Sequence, residues 1–327
     1  MDIKSKLELY YSQISTHKLQ INSIINFDLF IKTGDNFVLY KNRNLKITAD
    51  DFDRLAEHDV NSLYIHIKDK KNYKNYIEGN IDHFLNSADV PIKKKAEALY
   101  ESAVNVIEDV FNNPRSGETI RRSKEIISHT VDFILTTPES FTNLLKIRKY
   151  DYYTYTHSVN VCTFLVSLSQ ELGINDKKIL LEVGEGGLLH DLGKSQISPK
   201  IINKAGKLNK AEWDLMRTHP FLGVGLAKET RNITKVSLTI IGQHHEKLSG
   251  KGYPQGLKGS ELSLFANMAS IVDVYDALTT NRSYSPARTP MEAAQILLAE
   301  KDEFKSDILL KFIKMLAVKG ENKGEKK

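Results

Sequence analysis

Hydrophobic and polar positions over the first 78 residues alternate in short runs broken by turn signals, a pattern of strands rather than long helices. Leu63, Ile65 and Ile67 alternate with Tyr64, His66 and Lys68, which predicts a half-buried strand. The run "TGDN" before "FVLY" (37–40) predicts a turn into another strand. "TADD" (48–51) predicts a helix start, with Thr48 as cap and Asp51 three residues on. Residues 1–78 are therefore expected to form a small α/β module.

From 79 to 145 the apolar period lengthens to that of helix. Leu99, Ala103, Val106 and Val110 form one stripe, and Pro114 and Gly117 punctuate before a second helical segment through Leu135. A helical connector is expected here, with a homodimer seam as the alternative; the stripe is too short to assert a coiled coil. From 146 to 318 nearly everything reads as helix, including "HSVNVCTFLVSLSQEL" (157–172), "KILLEVGEGGLLHDLG" (178–193), "KAEWDLMRTHPFLGVGLAKE" (210–229), "VSLTIIGQHHEK" (236–247) and "LFANMASIVDVYDALTTN" (264–281). Breaks fall at Gly173, Pro199, Gly206 and 250–259. The end, "KGENKGEKK" (319–327), reads as a solvated, disordered tail. The fold class expected is α+β overall, a small α/β module followed by an all-α domain.

Composition narrows the setting. Hydrophobic residues make up 41% and charged residues 27% of 327 positions, and no apolar run approaches the ~18 to 20 residues of a membrane span. The start, "MDIKSKLELYYSQ", has no apolar signal-peptide core, and the single cysteine, Cys162, rules out a disulfide framework within the chain. A cytoplasmic protein is expected. The net charge of +5 is scattered, so a nucleic-acid polymer is not an expected partner.

The stretch "GLLHDLGKS" (187–195) sets a histidine against an aspartate in an apolar run, with a lysine four residues beyond the histidine. Burying such groups unpaired costs a few kcal/mol each, so the fold must satisfy or use them. Of the ten histidines, His17, His58, His66, His83 and His129 sit in ordinary polar or alternating contexts. The other five, His157, His190, His219, His244 and His245, fall on or at the end of predicted helices. With Asp191 and Asp273 they offer imidazole and carboxylate donors without thiolate, a set that suits iron, manganese or zinc. Seven donors are too many for one four- to six-coordinate ion and suit two. Adjacent helical residues point about 100° apart, so His190/Asp191 and His244/His245 are expected to serve neighbouring ions, with an aspartate between them. Two ions ~3.5 to 4 Å apart can hold a hydroxide and clamp a phosphoryl group for in-line attack, which predicts a phosphohydrolase. Competing patterns fail on inspection. "HEKLS" (245–249) has serine where a single-zinc protease needs histidine, and the glycine-rich stretch lacks the P-loop order. Cys162, among apolar helical residues, is expected to pack.

"YDYYTYTHS" (150–158), "LLHDLGK" (188–194), "THP" (218–220), "HHEKLSGKGYP" (244–254) and "DVYDALTTNRSY" (273–284) occur in the order of the HD-GYP family, the phosphodiesterase branch of the HD superfamily. The region that resembles this family covers about 140 positions between 150 and 290. The resemblance implies an all-helical catalytic domain hydrolysing cyclic dinucleotides, chiefly cyclic di-GMP, with two or three divalent transition metals, often iron or manganese. On this resemblance His157 is the early ligand, His190 and Asp191 the HD pair with Asp191 as bridge, and His219, His244, His245 and Asp273 the remaining ligands. Lys194, on a helix face shared with His190, is implied to contact phosphate and support proton transfer to the leaving group. Arg282 is implied to bind substrate phosphate and Tyr253 to shape the guanine entrance. The implied reaction is attack by a metal-bridging hydroxide, departure of the 3′ oxygen and release of pGpG, with further cleavage to GMP left open.

Some positions depart from the family pattern. Tyr153 stands where some relatives have a glutamate for a third metal, which favours two. Lys247 and Ser249 stand where arginine and aspartate are common, and Ser285 removes a basic residue. One lost charge-assisted contact costs ~1.5 to 3 kcal/mol, so weakened activity is expected. Two alternatives stay open: a receptor that binds a cyclic dinucleotide or protein without turnover, and a phosphodiesterase for mixed cyclic GMP-AMP or another nucleotide. The N-terminal module, without a visible catalytic cluster, is expected to take a regulatory ligand or protein.

Overall fold

The alternating runs form four strands, β1 (Tyr11–Ser15), β2 (Leu29–Thr33), β3 (Asn36–Lys41) and β4 (Ser62–His66), paired antiparallel in the order β1-β4-β2-β3. The computed structural model describes residues 9–88, 90–137, 139–148, 154–230, 233–281 and 286–320. The chain divides into two units, Met1–Asn105 and Val106–Lys327.

In the first unit the "TGDN" turn links β2 to β3, with Gly34 at φ +61°, a conformation glycine adopts without a Cβ penalty. Leu63 and Ile65 of β4 are buried as the alternation requires. Ile67, the next in the pattern, is 39% exposed, because the chain leaves the strand for a 3-10 turn whose Lys68 N–H is capped by His66 Nδ1. Helix α1 (Ala49–Glu57) starts as the sequence predicts. Thr48 Oγ1 accepts from Asp51 N–H at 3.3 Å, and the Asp51 carboxylate accepts from Thr48 N–H at 2.8 Å. Helices α2 (Lys70–Gly79), α3 (Ile81–Asn86) and α4 (Ile92–Asn112) follow. The α4 stripe of Leu99, Ala103, Val106 and Val110 is at most 3% exposed. It is covered by the chain itself, so a homodimer seam does not lie on it.

The second unit is helical: α5 (Gly117–Thr136), α6 (Ser140–Ile147), α7 (Thr154–Glu171), α8 (Lys177–Leu189), α9 (Pro199–Ile202), α10 (Lys210–Met216), α11 (His219–Glu229), α12 (Lys235–Gln243), α13 (Leu264–Thr279), α14 (Pro290–Ala299) and α15 (Ser306–Gly320). Helix α7 is the axis. Every residue from Thr156 to Ser169 is buried, polar ones included, so the helix is enclosed all round rather than along one stripe. Helices α8, α13 and α15 pack against it. Phe164 on α7 meets Phe141, Tyr275 and Phe312 edge-on, with ring centroids 6.0, 5.5 and 5.8 Å away. Cys162 packs in this interior, where burial pushes its thiol up to about 12.

Phe164→Ala should destabilise the protein by about 3 to 5 kcal/mol, the cost of losing transfer energy and leaving a cavity. Phe221, 73% exposed, gives the control: Phe221→Ala should stay within about 0.5 kcal/mol. Urea unfolding of both variants checks the difference.

Candidate metal centre

Helix ends rather than helix faces deliver most of the predicted ligands. Helix α8 stops at Leu189, and His190 occupies its C-cap, turning its ring back so that Nδ1–H donates to Gly187 O at 2.8 Å. The expected helix over 210–229 is broken for a related reason. Pro220 has no N–H to give to the carbonyl of Met216, so α10 ends there and that carbonyl accepts His219 Nδ1–H at 2.8 Å instead. His244 caps the C-terminus of α12 and donates from Nδ1 to Ile241 O at 3.0 Å. His157, inside α7, donates from Nδ1 to Asp276 Oδ2 at 2.8 Å.

These four bonds fix one tautomer. Each imidazole spends its N–H on an oxygen, which leaves Nε2 as a bare lone pair. The lone pairs then face one another: His157 Nε2 lies 3.1 Å from His190 Nε2, and His219 Nε2 lies 3.1 Å from His244 Nε2. His190 is fully enclosed, and His157, His219 and His244 are 1% exposed. Buried acceptors turned on each other are unfavourable unless a cation lies between them.

Two carboxylates join the pairs. Asp191 directs Oδ2 toward His190 and His157, 3.5 and 3.9 Å away, and Oδ1 toward His219 and His244, 3.3 and 3.9 Å away. Asp273 Oδ1 lies 2.9 Å from His157 Nε2, and its Oδ2 lies 3.3 Å from His245 Nδ1. The structure therefore brings together all seven sequence-predicted donors, as two groups that share these acids: His157, His190 and Asp191, and His219, His244 and His245. Asp191 Oδ1 is buried without a hydrogen-bond partner. An orphaned carboxylate oxygen among bare imidazole nitrogens is the donor set that a pair of divalent cations fits.

The electrostatics agree. Burial pushes His190 down to about 4 and His219 down to about 3, and burial lowers His244 and His245 as well, so these rings stay neutral. Burial alone would raise the Asp191 carboxyl, but Lys194 and the surrounding imidazoles outweigh it and hold it well below the ordinary range. Burial would likewise raise Asp273, and the imidazoles of His157, His245 and His190 around it hold it well below the ordinary range.

Lys194 is not on a helix face shared with His190. It sits in the 3-10 turn Leu192–Gln196 that follows Asp191, and its Nζ donates to Asp191 Oδ2 at 2.6 Å. A Cβ at Gly193 would collide with the His219 carbonyl and Gly223 N–H, so only glycine lets this turn reach the start of α11. Tyr253 lies against His245, centroids 4.6 Å apart, with the Arg217 guanidinium 5.0 Å from its ring centre. Burial raises its phenol. Gly252, before it, approaches the Glu246 and Lys247 backbone too closely for any Cβ. Ser249 donates to the Glu303 carboxylate and accepts Lys251 N–H, which ties the loop to the 3-10 turn Lys301–Glu303. Arg282, Ser285 and Tyr153 lie outside the described residues.

Sequence reasoning missed two carboxylates. Asp276, fully buried, orients His157 while accepting from Asn160 at 3.0 Å and Arg148 at 3.3 Å. Its signal was its place three residues after Asp273, on the same helix face. Glu246, also fully buried, accepts the N–H groups of Gln255, Gly256 and Leu257 at 2.6, 3.2 and 3.0 Å and so folds the glycine-rich loop. A cavity of about 1250 Å³ opens on this cluster, lined by Lys194, Trp213, His219, His245, Tyr253 and Asp273 among others.

Residues 139–308 match the family model described as HD domain. A cyclic di-GMP phosphodiesterase of Pseudomonas aeruginosa is 31% identical over 227 residues, which are 69% of this chain and 55% of that protein. The 3'3'-cGAMP-specific phosphodiesterase 3 of Vibrio cholerae is 35% identical over 149 residues, 45% of this chain and 32% of that protein. The chain thus spans about half of the first of these relatives and a third of the second. Among solved structures, Bd1817, an HDG"Y"P protein from Bdellovibrio bacteriovorus, matches with a TM-score of 0.67 at 25% identity, covering 94% of this chain and 99% of that one.

Asp276→Asn should weaken cation binding by about 10- to 100-fold, since His157 loses the carboxylate that sets its tautomer; metal titration of the variant checks this. Acid should also destabilise the metal-free protein. With folded values near 4 for His190 and 3 for His219 against an ordinary 6.5, the unfolded chain binds more protons between pH 6.5 and 4. Stability is full above about pH 6.5 and falls below it, by at most about 1.4 kcal/mol per pH unit for each histidine. Thermal melts in chelator at pH 7, 6 and 5 should show a falling midpoint, and a flat one would mean that these rings are protonated in the fold.

Proposed function

Because the chain belongs to the HD domain family, in its HD-GYP branch, we propose that it is a metal-dependent phosphodiesterase that cleaves cyclic di-GMP to pGpG. The observation that carries this reading is the two pairs of facing imidazole lone pairs, tied by two shared carboxylates at the floor of a large cavity. The names of the Pseudomonas and Vibrio relatives support a cyclic dinucleotide as substrate.

Two divalent cations, one held by His157, His190 and Asp191 and the other by His219, His244 and His245, with Asp273 reaching both groups, would supply Lewis-acid stabilisation of the charge that builds on the phosphoryl oxygens. Donors without thiolate suit iron, manganese or zinc, and the likeness to the HD-GYP family favours iron or manganese among these. Asp191, with one oxygen toward each group, would bridge the two cations. Lys194 is already fixed on Asp191 and borders the cavity, so its ammonium can bind a non-bridging phosphate oxygen and give a proton to the departing 3′ oxygen. Tyr253 presents ring surface to a guanine, and Arg282 is assigned a phosphate contact by its place in the family motif. These parts fall in the segment 146–318, the proposed catalytic domain. Both potential metal groups among the described residues lie there, which supports a regulatory role for the N-terminal module.

Asp191→Ala should lose both bound metal and turnover, measured by elemental analysis of anaerobically purified protein and by chromatography of the products from cyclic di-GMP. Lys194→Met should keep the metal and lower kcat by on the order of 10²-fold. Wild-type hydrolysis that survives complete metal removal would end this reading, and tight binding without product after iron or manganese loading would favour a receptor.

A further inference from the structure

The cavity beside the ligand cluster carries aromatic pairs associated with both of its halves. Near His245, Tyr253 meets Trp213 with centroids 6.4 Å apart and Arg217 over its ring. Two residues before His157, Tyr155 of α7 meets Phe111 of α4 edge-on, centroids 5.5 Å apart. All four rings line the one cavity, and all belong to the second unit. Phe111 lies ahead of residue 139, outside the segment that the family model matches.

Packing alone is a poor account of the second pair. Rings that serve only the core are enclosed, as Phe164 and Phe312 are at 1% and 0%, whereas Phe111 and Tyr155 are half-buried and turn surface to the cavity. At about 1250 Å³ the space exceeds the usual ~300 to 1,000 Å³ of a small-molecule site. Lys194 and Arg288 line it too, which suits a ligand with phosphates as well as flat, apolar parts. Resting on the cyclic dinucleotide reading above, we propose that Phe111 and Tyr155 form a second nucleobase platform. One substrate then stacks one purine at Trp213 and Tyr253 and the other at Phe111 and Tyr155, with its phosphates held over the metal ligands. The site is built for a diester with two bases, and a mononucleotide fills half of it.

The test is calorimetric binding of the phosphorothioate analogue of cyclic di-GMP, which resists cleavage, to manganese-loaded protein, together with kcat and KM for cyclic di-GMP. Phe111→Ala and Tyr155→Leu should each weaken binding and raise KM by roughly 5- to 150-fold, the range for loss of one base stack, with kcat little changed. Tyr155→Phe should restore what Tyr155→Leu loses. If Phe111→Ala does not fold, Phe111→Leu keeps the bulk without the ring and should show the same loss. Unchanged affinity in ring-less variants that fold overturns the platform, as does wild-type protein that does not bind the analogue. Wild-type protein that binds the analogue, loses affinity in the variants and yet cleaves neither cyclic di-GMP nor bis(p-nitrophenyl) phosphate leaves the platform standing and overturns the phosphodiesterase reading.

Discussion

Four buried imidazole nitrogens with nothing to donate are the constraint around which the second unit is arranged. A bare nitrogen in a dry interior needs a hydrogen-bond donor or a cation, and here they meet in twos at 3.1 Å, where neither ring has a proton to give the other. The tautomer of the rings is set from outside the cluster, by carbonyls at the ends of α8, α10 and α12 and by the Asp276 carboxylate, while burial keeps the rings neutral. Each of those oxygens is available for a local reason. A carbonyl in a last turn has lost its intrahelical partner, and the Met216 carbonyl has lost its partner to Pro220. Free helix ends, ordinarily a liability inside a protein, are what orient the ligands.

A second layer of polar groups holds the first. Asp276 answers to Asn160 and Arg148, and the Arg148 guanidinium lies over the rings of Phe164 and Tyr275, which links the ligand shell to the aromatic core. Glu246 performs the matching task on the other side by gathering three consecutive amide hydrogens of the loop beyond His245. The same charge that makes Asp276 and Glu246 costly to bury makes them stiff supports once every lone pair has a donor.

Much of this was legible in the chain. The seven donors could be named because histidine and aspartate are uncommon inside apolar helices, and their order matched a family motif. The Thr48 cap and the "TGDN" turn were legible because their chemistry is local. What depended on distant residues was not. The sequence put Lys194 on a helix face with His190, but α8 gives way to a 3-10 turn and the lysine pairs with Asp191. The break in the expected helix over 210–229 was, by contrast, local: Pro220 withholds the N–H that the Met216 carbonyl needs, and His219 takes that carbonyl instead. Asp276 and Glu246 resemble ordinary solvated acids in sequence, because their importance lies in donors contributed by segments elsewhere. The homodimer seam failed for the same reason: the α4 stripe reads the same whether its cover comes from another copy or from its own chain.

The two ligand groups are unequal in one respect. His157, His190 and Asp191 are all sealed, whereas His245 keeps 23% of its side chain open and with His219 forms part of the cavity wall. A cation held by the sealed group would leave only when helices part, while one held by the other group would have a path to solvent. The centre is thus a vestibule and a vault: a cation in the outer position would exchange with the surroundings, and one in the inner position would be retained.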